Sequence, residues 1–291
     1  MNSILMNQAI QAFLLEDIGQ YDLSAETVFP RDTMGETVFP RDTMGEGVFL
    51  AKETGILCGI SIPPKVYELL GGNIQFEAYK KDGDWVQKGD IIASVTAPVR
   101  TLLSGERVIL NLMQRMSGIA SQTNFAVKQL DDSAIRICDT RKTAPGLRAF
   151  DKYAVQTGGG FNHRNGLYDG VMLKDNHIAF SGGITSAVST VREKLGHMVK
   201  IEVETETAEQ VKEAVQAGAD IIMFDNRTPE EIKQLVKLVP PHITTEISGN
   251  VTLENIHLYK GSGANYISLG SLTHSVRAFD ISFNSKGGIK A

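Results

Sequence analysis

Between Asp139 and His177 the chain reads DTRKTAPGLRAFDKYAVQTGGGFNHRNGLYDGVMLKDNH. Arg141, Lys142, Arg148, His163, Arg164, Lys174 and His177 stand there among Gly158-Gly159-Gly160, Asp169, Asp175 and Asn176. Cations this dense beside turn-forming residues suit the capture of an anion, a carboxylate or a phosphate, and arginine suits bidentate contact with either. The bland alternative is a solvated loop. The rest of the chain decides between them by where it puts these residues.

Downstream of residue 134, short apolar runs recur, each followed by polar or glycine residues and then by a helical pattern. The runs are Ala134–Asp139, Gly170–Leu173, Val199–Val203, Ile221–Phe224, Thr244–Ile247 and Tyr266–Leu269. Between them, TAEQ from Thr207 has the form of a capping box, and TPEE from Thr228 adds proline at the first helical position. Six strands with intervening helices indicate a parallel βα arrangement, in which ligands bind at the carboxyl ends of the strands. Those ends deliver Arg141-Lys142, Lys174-Asp175, Glu204, Asp225-Asn226, Ser248-Gly249 and Gly270. Contributions from all six favour a ring over a doubly wound sheet. Glu204 and Asp225 suit ribose hydroxyls, a divalent metal held with substrate phosphates, or developing positive charge. By alternation alone, Glu202 is as good a candidate as Glu204. Ser248-Gly249 and Gly270 suit a phosphate held by backbone donors, with simple turns as the alternative.

Upstream, MNSILMNQAIQAFLLEDIG reads as an amphipathic helix ending near Gly19 rather than a signal peptide. Residues 27–36 (TVFPRDTMGE) recur unchanged at 37–46; two copies do not make a solenoid, and their prolines and glycines suggest a surface loop. Deleting 37–46 should leave turnover intact. Residues 47–100 suggest a small β-rich domain with hairpin turns at Asp82-Gly83 and Lys88-Gly89-Asp90. Residues 104–130 form a long helical pattern in which Ser104 can cap and Met113 and Met116 read as core. Arg107 then falls in the first turn, where the helix dipole prefers an acid, a hint of a contact outside the helix.

The 291 residues carry 42% hydrophobic and 22% charged residues, ordinary for a globular protein, and suggest two domains. A net charge of −5, from 29 basic and 34 acidic residues, argues against wholesale binding to nucleic acid or an anionic membrane. No apolar run approaches the ~20 residues of a membrane span. Cys58 and Cys138 lack metal-ligand spacing and suggest buried thiols in a reducing, cytoplasmic setting.

The phrases LEDIGQYDLS, SGERVILNLMQRMSGIAS, DTRKTAPGLR, KYAVQTGGGFNHRNGLYDGVMLKDNHI, IEVE, IMFDN and ISLGSLTHS run through almost the whole chain. In that order they resemble the decarboxylating quinolinate phosphoribosyltransferases. The resemblance implies an N-terminal α/β sandwich-like domain (1–112), an incomplete, about six-stranded parallel α/β barrel (113–273), and a C-terminal segment (274–291) returning to the first domain. It implies transfer of phosphoribose from phosphoribosyl pyrophosphate to quinolinate, with Mg²⁺ and no organic cofactor. Carried over, Arg141, His163, Arg164 and Lys174 hold the quinolinate carboxylates, and Lys142 approaches the phosphoribosyl donor. Glu204 and Asp225 serve the ribose and Mg²⁺, and Ser248, Gly249 and Gly270 the 5′-phosphate. Arg107 enters the neighbouring site of a homodimer, with a hexamer of dimers as the larger assembly considered. SGNV departs from the family's second glycine after Ser-Gly, and Asn250 tolerates left-handed backbone well enough to keep the loop. Rival readings are a phosphoribosyltransferase of other specificity, a Schiff-base barrel aldolase using Lys174, and a non-catalytic sensor of anionic metabolites.

Overall fold

The computed structural model describes residues 2–28 and 43–286. Its strands, in chain order, are β1 (Met44–Ala51), β2 (Gly55–Ile56), β3 (Gln75–Ala78), β4 (Trp85–Val86), β5 (Ile91–Pro98), β6 (Arg136–Cys138), β7 (Val171–Leu173), β8 (Ile201–Thr205), β9 (Ile221–Asp225), β10 (Thr244–Ser248), β11 (Tyr266–Ser268) and β12 (Ile281–Ser285). Two compact units divide them: Met1–Ser121 with Pro145–Gly158 and Val276–Ala291, and Gln122–Ala144 with Gly159–Ser275. The division falls beyond residue 112, and 145–158 joins the first unit, which one boundary per domain does not anticipate.

In the first unit an antiparallel sheet runs β12-β1-β5-β3, and β2 pairs with β4 alone. The Asp82-Gly83 and Lys88-Gly89-Asp90 turns form, with Gly83 and Gly89 at φ 91° and 95°, but neither closes a hairpin. β4, which lies between the two turns, pairs with β2, while β3 pairs with β5. Turn chemistry sets where a chain reverses, not which strand it then meets. Met44, Gly45 and Glu46 of the second decapeptide copy open β1 instead of lying in a loop; most of the repeat lies outside the described residues. The first helix spans Ser3–Ile18, starting from an Asn2 side chain that accepts from Ile4 N and ending at Gly19.

The long helix spans Val99–Leu130 and starts directly after Pro98, several residues before Ser104. Ser104 is therefore no cap; its hydroxyl donates to Asp22 Oδ2 at 2.9 Å. Arg107 stands in the third turn, so its position carries no dipole penalty. Met113 and Met116 are core, as their spacing suggests.

The second unit is a six-stranded parallel sheet in the order β6-β11-β10-β9-β8-β7. The first strand pairs with the last, which is the closure of a ring, and the one unpaired seam lies between β6 and β7. A short backbone bridge from Cys138 to Phe161 narrows that seam. Thr207 and Thr228 cap the helices Ala208–Ala217 and Pro229–Leu235 with both reciprocal bonds of the capping box. Each helix returns the chain so that the next strand starts at the same end of the barrel. All six carboxyl ends thus share one rim.

Candidate active site

A cavity of about 880 Å³ opens at that rim. Its lining holds Arg141, Lys142, His163, Arg164, Lys174, Glu204, Asp225, Ser248, Gly249 and Gly270, together with Gln122, Thr140, Asn226 and His274. Every residue to which the family resemblance gives a site role is there except Arg107, which is exposed on the long helix in the first unit; Arg148, Asp175 and His177 do not line it.

Alternation along β8 sends Glu202 and Glu204 to the same side of the strand, one layer apart, and β10 does the same with Glu246 and Ser248. Glu204 and Ser248 form the upper layer. Lys174 Nζ reaches across from the end of β7 to Glu204 Oε2 at 2.7 Å, with nearly half of the lysine side chain still exposed. Asp225 ends the neighbouring β9. Burial and the adjacent Glu204 charge raise its pKa above the ordinary aspartate value, and Lys174 works against that shift. Two acids and a lysine thus meet along one wall.

A cationic pair lies beside β7. Arg164 donates from Nη1 to Gly170 O at 2.9 Å, and its Nη2 lies 3.7 Å from Met172 Sδ. Desolvation and the neighbouring Arg141 guanidinium depress its pKa. Two guanidiniums held close enough to repel, in a partly dry place, are a combination whose repulsion an anion would relieve. Lys142 follows Arg141; its amide donates to Thr140 Oγ1 at 3.0 Å, and its carbonyl accepts from Thr273 Oγ1 at 2.9 Å. That pins the loop after β6 to the turn after β11.

The loops after β9 and β10 shape another part of the cavity. Gly249 has φ 79°, and a Cβ there would stand 2.2 Å from Asn226 Oδ1. Asn226 and Asn250 adopt φ 54° and 56°, left-handed conformations that asparagine tolerates, so the loop keeps its path without a second glycine.

Sequence reasoning passes over Glu246 and leaves Glu202 only as an alternative to Glu204. Both are buried on the inner face, 4% and 5% exposed. The only signal is an acid at an inward-facing alternate position of a strand, which in isolation reads as a solvated face.

Comparison with known proteins gives concordant results. Residues 119–284 match the family described as quinolinate phosphoribosyl transferase, C-terminal domain, and residues 25–117 its N-terminal domain. The chain is 51% identical over 284 residues to a probable nicotinate-nucleotide pyrophosphorylase [carboxylating] of Bacillus subtilis, covering 98% of this chain and 94% of that one. It is 46% identical over 253 residues to the chloroplastic nicotinate-nucleotide pyrophosphorylase [carboxylating] of Arabidopsis thaliana, covering 80% and 72%. The crystal structure of NadC from Streptococcus pyogenes superposes with a TM-score of 0.90 at 37% identity, covering 100% of this chain and 99% of that one.

Proposed function

The chain belongs to the quinolinate phosphoribosyltransferase family, and from that premise we propose how its residues divide the work. The reaction transfers phosphoribose from phosphoribosyl pyrophosphate to quinolinate with loss of CO₂, giving nicotinate mononucleotide for NAD biosynthesis. What carries the division of roles is the distribution of charge in one cavity: Arg141 and Arg164 close enough to repel, Glu204 and Asp225 at neighbouring strand ends, and Lys174 paired to Glu204.

Arg141, Arg164 and Lys174 take the two quinolinate carboxylates, with His163 set beneath Arg164. Lys142 faces the phosphoribosyl donor, whose 5′-phosphate lies against Ser248, Gly249 and the Gly270 turn. Glu204 and Asp225 hold the ribose. They also fit Mg²⁺: two carboxylate donors from neighbouring strands crowd each other, a repulsion that a hard divalent cation relieves. When bound beside the donor, that ion neutralises charge on the departing pyrophosphate.

The same two acids offset the oxocarbenium character that builds on the ribose as pyrophosphate leaves. The guanidinium pair fixes the pyridine ring so that its nitrogen meets the anomeric carbon. The ring, now cationic, stabilises the electron pair left on its C2 carbon when the 2-carboxylate departs as CO₂, and that carbon then takes a proton from solvent. No covalent enzyme intermediate is needed. A Schiff-base role for Lys174 fits poorly, because its amine is ion-paired and half exposed where such lysines need a dry pocket.

The assembly is a cytoplasmic homodimer in which Arg107 serves the partner's site. Its exposure supports this, as do the buried free thiols of Cys58 and Cys138 for a reducing compartment. Among the described residues, no helix is long and apolar enough to cross a membrane. The test is release of ¹⁴CO₂ from carboxyl-labelled quinolinate with phosphoribosyl pyrophosphate and Mg²⁺, alongside pyrophosphate release with nicotinate. Matched CO₂ and pyrophosphate from quinolinate, and little pyrophosphate from nicotinate, is the expected result. Equal or faster turnover of nicotinate overturns the dicarboxylate assignment.

A further inference from the structure

Below the rim, two acids that the reaction as described leaves unused meet His163 inside the barrel. Glu202 and Glu246 come from β8 and β10, alternate strands that share an interior layer. His163 enters between them from the segment that narrows the β6–β7 seam. Its Nε2 lies 3.2 Å from Glu202 Oε2 and 3.5 Å from Glu246 Oε1. Its Nδ1 accepts the backbone N–H of Arg164 at 2.7 Å.

The second contact decides the first. A neutral imidazole has one lone-pair nitrogen, and here it is engaged by the Arg164 amide, so the ring proton sits on Nε2 and points at the acids. The backbone N–H of His163 is held separately by Asp139 Oδ1 at 2.9 Å. Ring, main chain and the start of Arg164 are therefore fixed at three points, and the guanidinium is fixed at a fourth by Gly170 O. A flipped ring would put a C–H against the Arg164 amide and turn the proton away from two buried carboxylates, each of which has an Oε1 with no hydrogen-bond partner among the described residues.

We propose that Glu202 and Glu246 are positioning residues for substrate recognition: they orient the His163 ring, which holds the Arg164 backbone and so aims its guanidinium at a quinolinate carboxylate. This rests on the carboxylate-binding role given to Arg164 above. The three ligand-type atoms lie within 4.8 Å of one another, a spacing that a metal ion could also use. The lone-pair argument disfavours the ion, since His163 has no second acceptor nitrogen to give, and the Arg164 guanidinium is close by.

Long-range ¹H–¹⁵N spectra of the histidine rings in the ¹⁵N-labelled full chain test this directly, with His163 assigned by loss of its signal in His163→Asn. Expected is the Nε2–H tautomer at neutral pH, retained in Glu246→Gln and redistributed in Glu202→Ala and Glu246→Ala. In the same alanine variants, checked for an intact fold by circular dichroism, the KM for quinolinate should rise about tenfold or more, while that for phosphoribosyl pyrophosphate and kcat move less than about threefold. Glu246→Gln should restore most of the affinity. An Nδ1–H tautomer in the unmodified protein, equal KM changes for both substrates, or one tightly held metal per chain lost on replacing either glutamate overturns the proposal. The tautomer is read without turnover, so a failure of the quinolinate reading appears separately, as absent activity in the unmodified chain.

Discussion

Arg164 and Arg141 face the same cavity, and burial makes each less replaceable than a surface cation. Truncating Arg164 removes a charge-assisted bidentate contact of about 1.5–3 kcal/mol, so Arg164→Ala should raise the quinolinate KM by about 10- to 150-fold. Arg164→Lys should recover little, because an ammonium cannot keep Gly170 O and grip a carboxylate together. Near-normal quinolinate saturation in Arg164→Ala removes the residue from the carboxylate site. Glu246 makes a different prediction, in stability. Burial, then the charge of Glu202, raises its pKa from 4.5 to about 7. A carboxyl raised by folding gives its full stabilisation below the unfolded value and loses it as pH climbs through about 7. Glu246→Gln, which never ionises, should therefore gain on the parent between pH 5 and pH 8, seen as a Tm difference that moves in the variant's favour. A Tm difference constant across that range shows that the carboxyl does not titrate there. The cations were legible in the sequence because charge at a strand end breaks an apolar pattern. Glu246 was not, and Glu202 stood only as an alternative to Glu204, because an inward-facing acid and a solvated one leave the same alternation.

The elements that hold the site were legible in proportion to how local their causes are. Six apolar runs became six parallel strands, and Thr207 and Thr228 became caps, because alternation and capping act within a few residues. The start of the long helix was misplaced to Ser104 because Pro98 and its neighbours carry no N-cap side chain; the helix begins straight from the end of β5. Hairpins were misread because strand partners are chosen by packing at long range. The loop after β10 combines both levels, with Ser248 set by the strand and Gly249 by contact with the loop after β9. An added Cβ at Gly249 would press on Asn226 Oδ1 and lie 3.0 Å from Asp225 Oδ1, besides straining φ 79°. Gly249→Ala should therefore raise the KM for phosphoribosyl pyrophosphate about tenfold or more and leave that for quinolinate closer to its original value. Steady-state kinetics with each substrate varied in turn decide it. A change falling on quinolinate alone would reassign the loop.

For the whole molecule, the decisive question is whether one chain contains a complete site. The cavity of the second unit collects ten of the eleven residues to which the family resemblance gives a site role, and Arg107 is the exception. The family resemblance gives it a role in a partner's site, and with the helix starting at Val99 its position carries no dipole penalty. What remains is an exposed arginine on a helix face, together with exposed Leu167, Tyr168, Phe180 and Met198 on the second unit, side chains that a monomer gains nothing by showing to water. A symmetric dimer that exchanges Arg107 makes a quantitative prediction. Arg107→Ala and Arg164→Ala, each nearly inactive alone at low quinolinate, should recover activity when mixed and allowed to exchange subunits. In a mixed dimer one site combines an intact Arg164 with the partner's intact Arg107, and the other site lacks both. Random exchange at equal concentrations makes about half the dimers mixed, so recovery should plateau at about one quarter of the unmodified activity. A mixture no more active than the average of its parts, despite subunit exchange verified by native mass spectrometry, would show that Arg107 acts within its own chain or not at all.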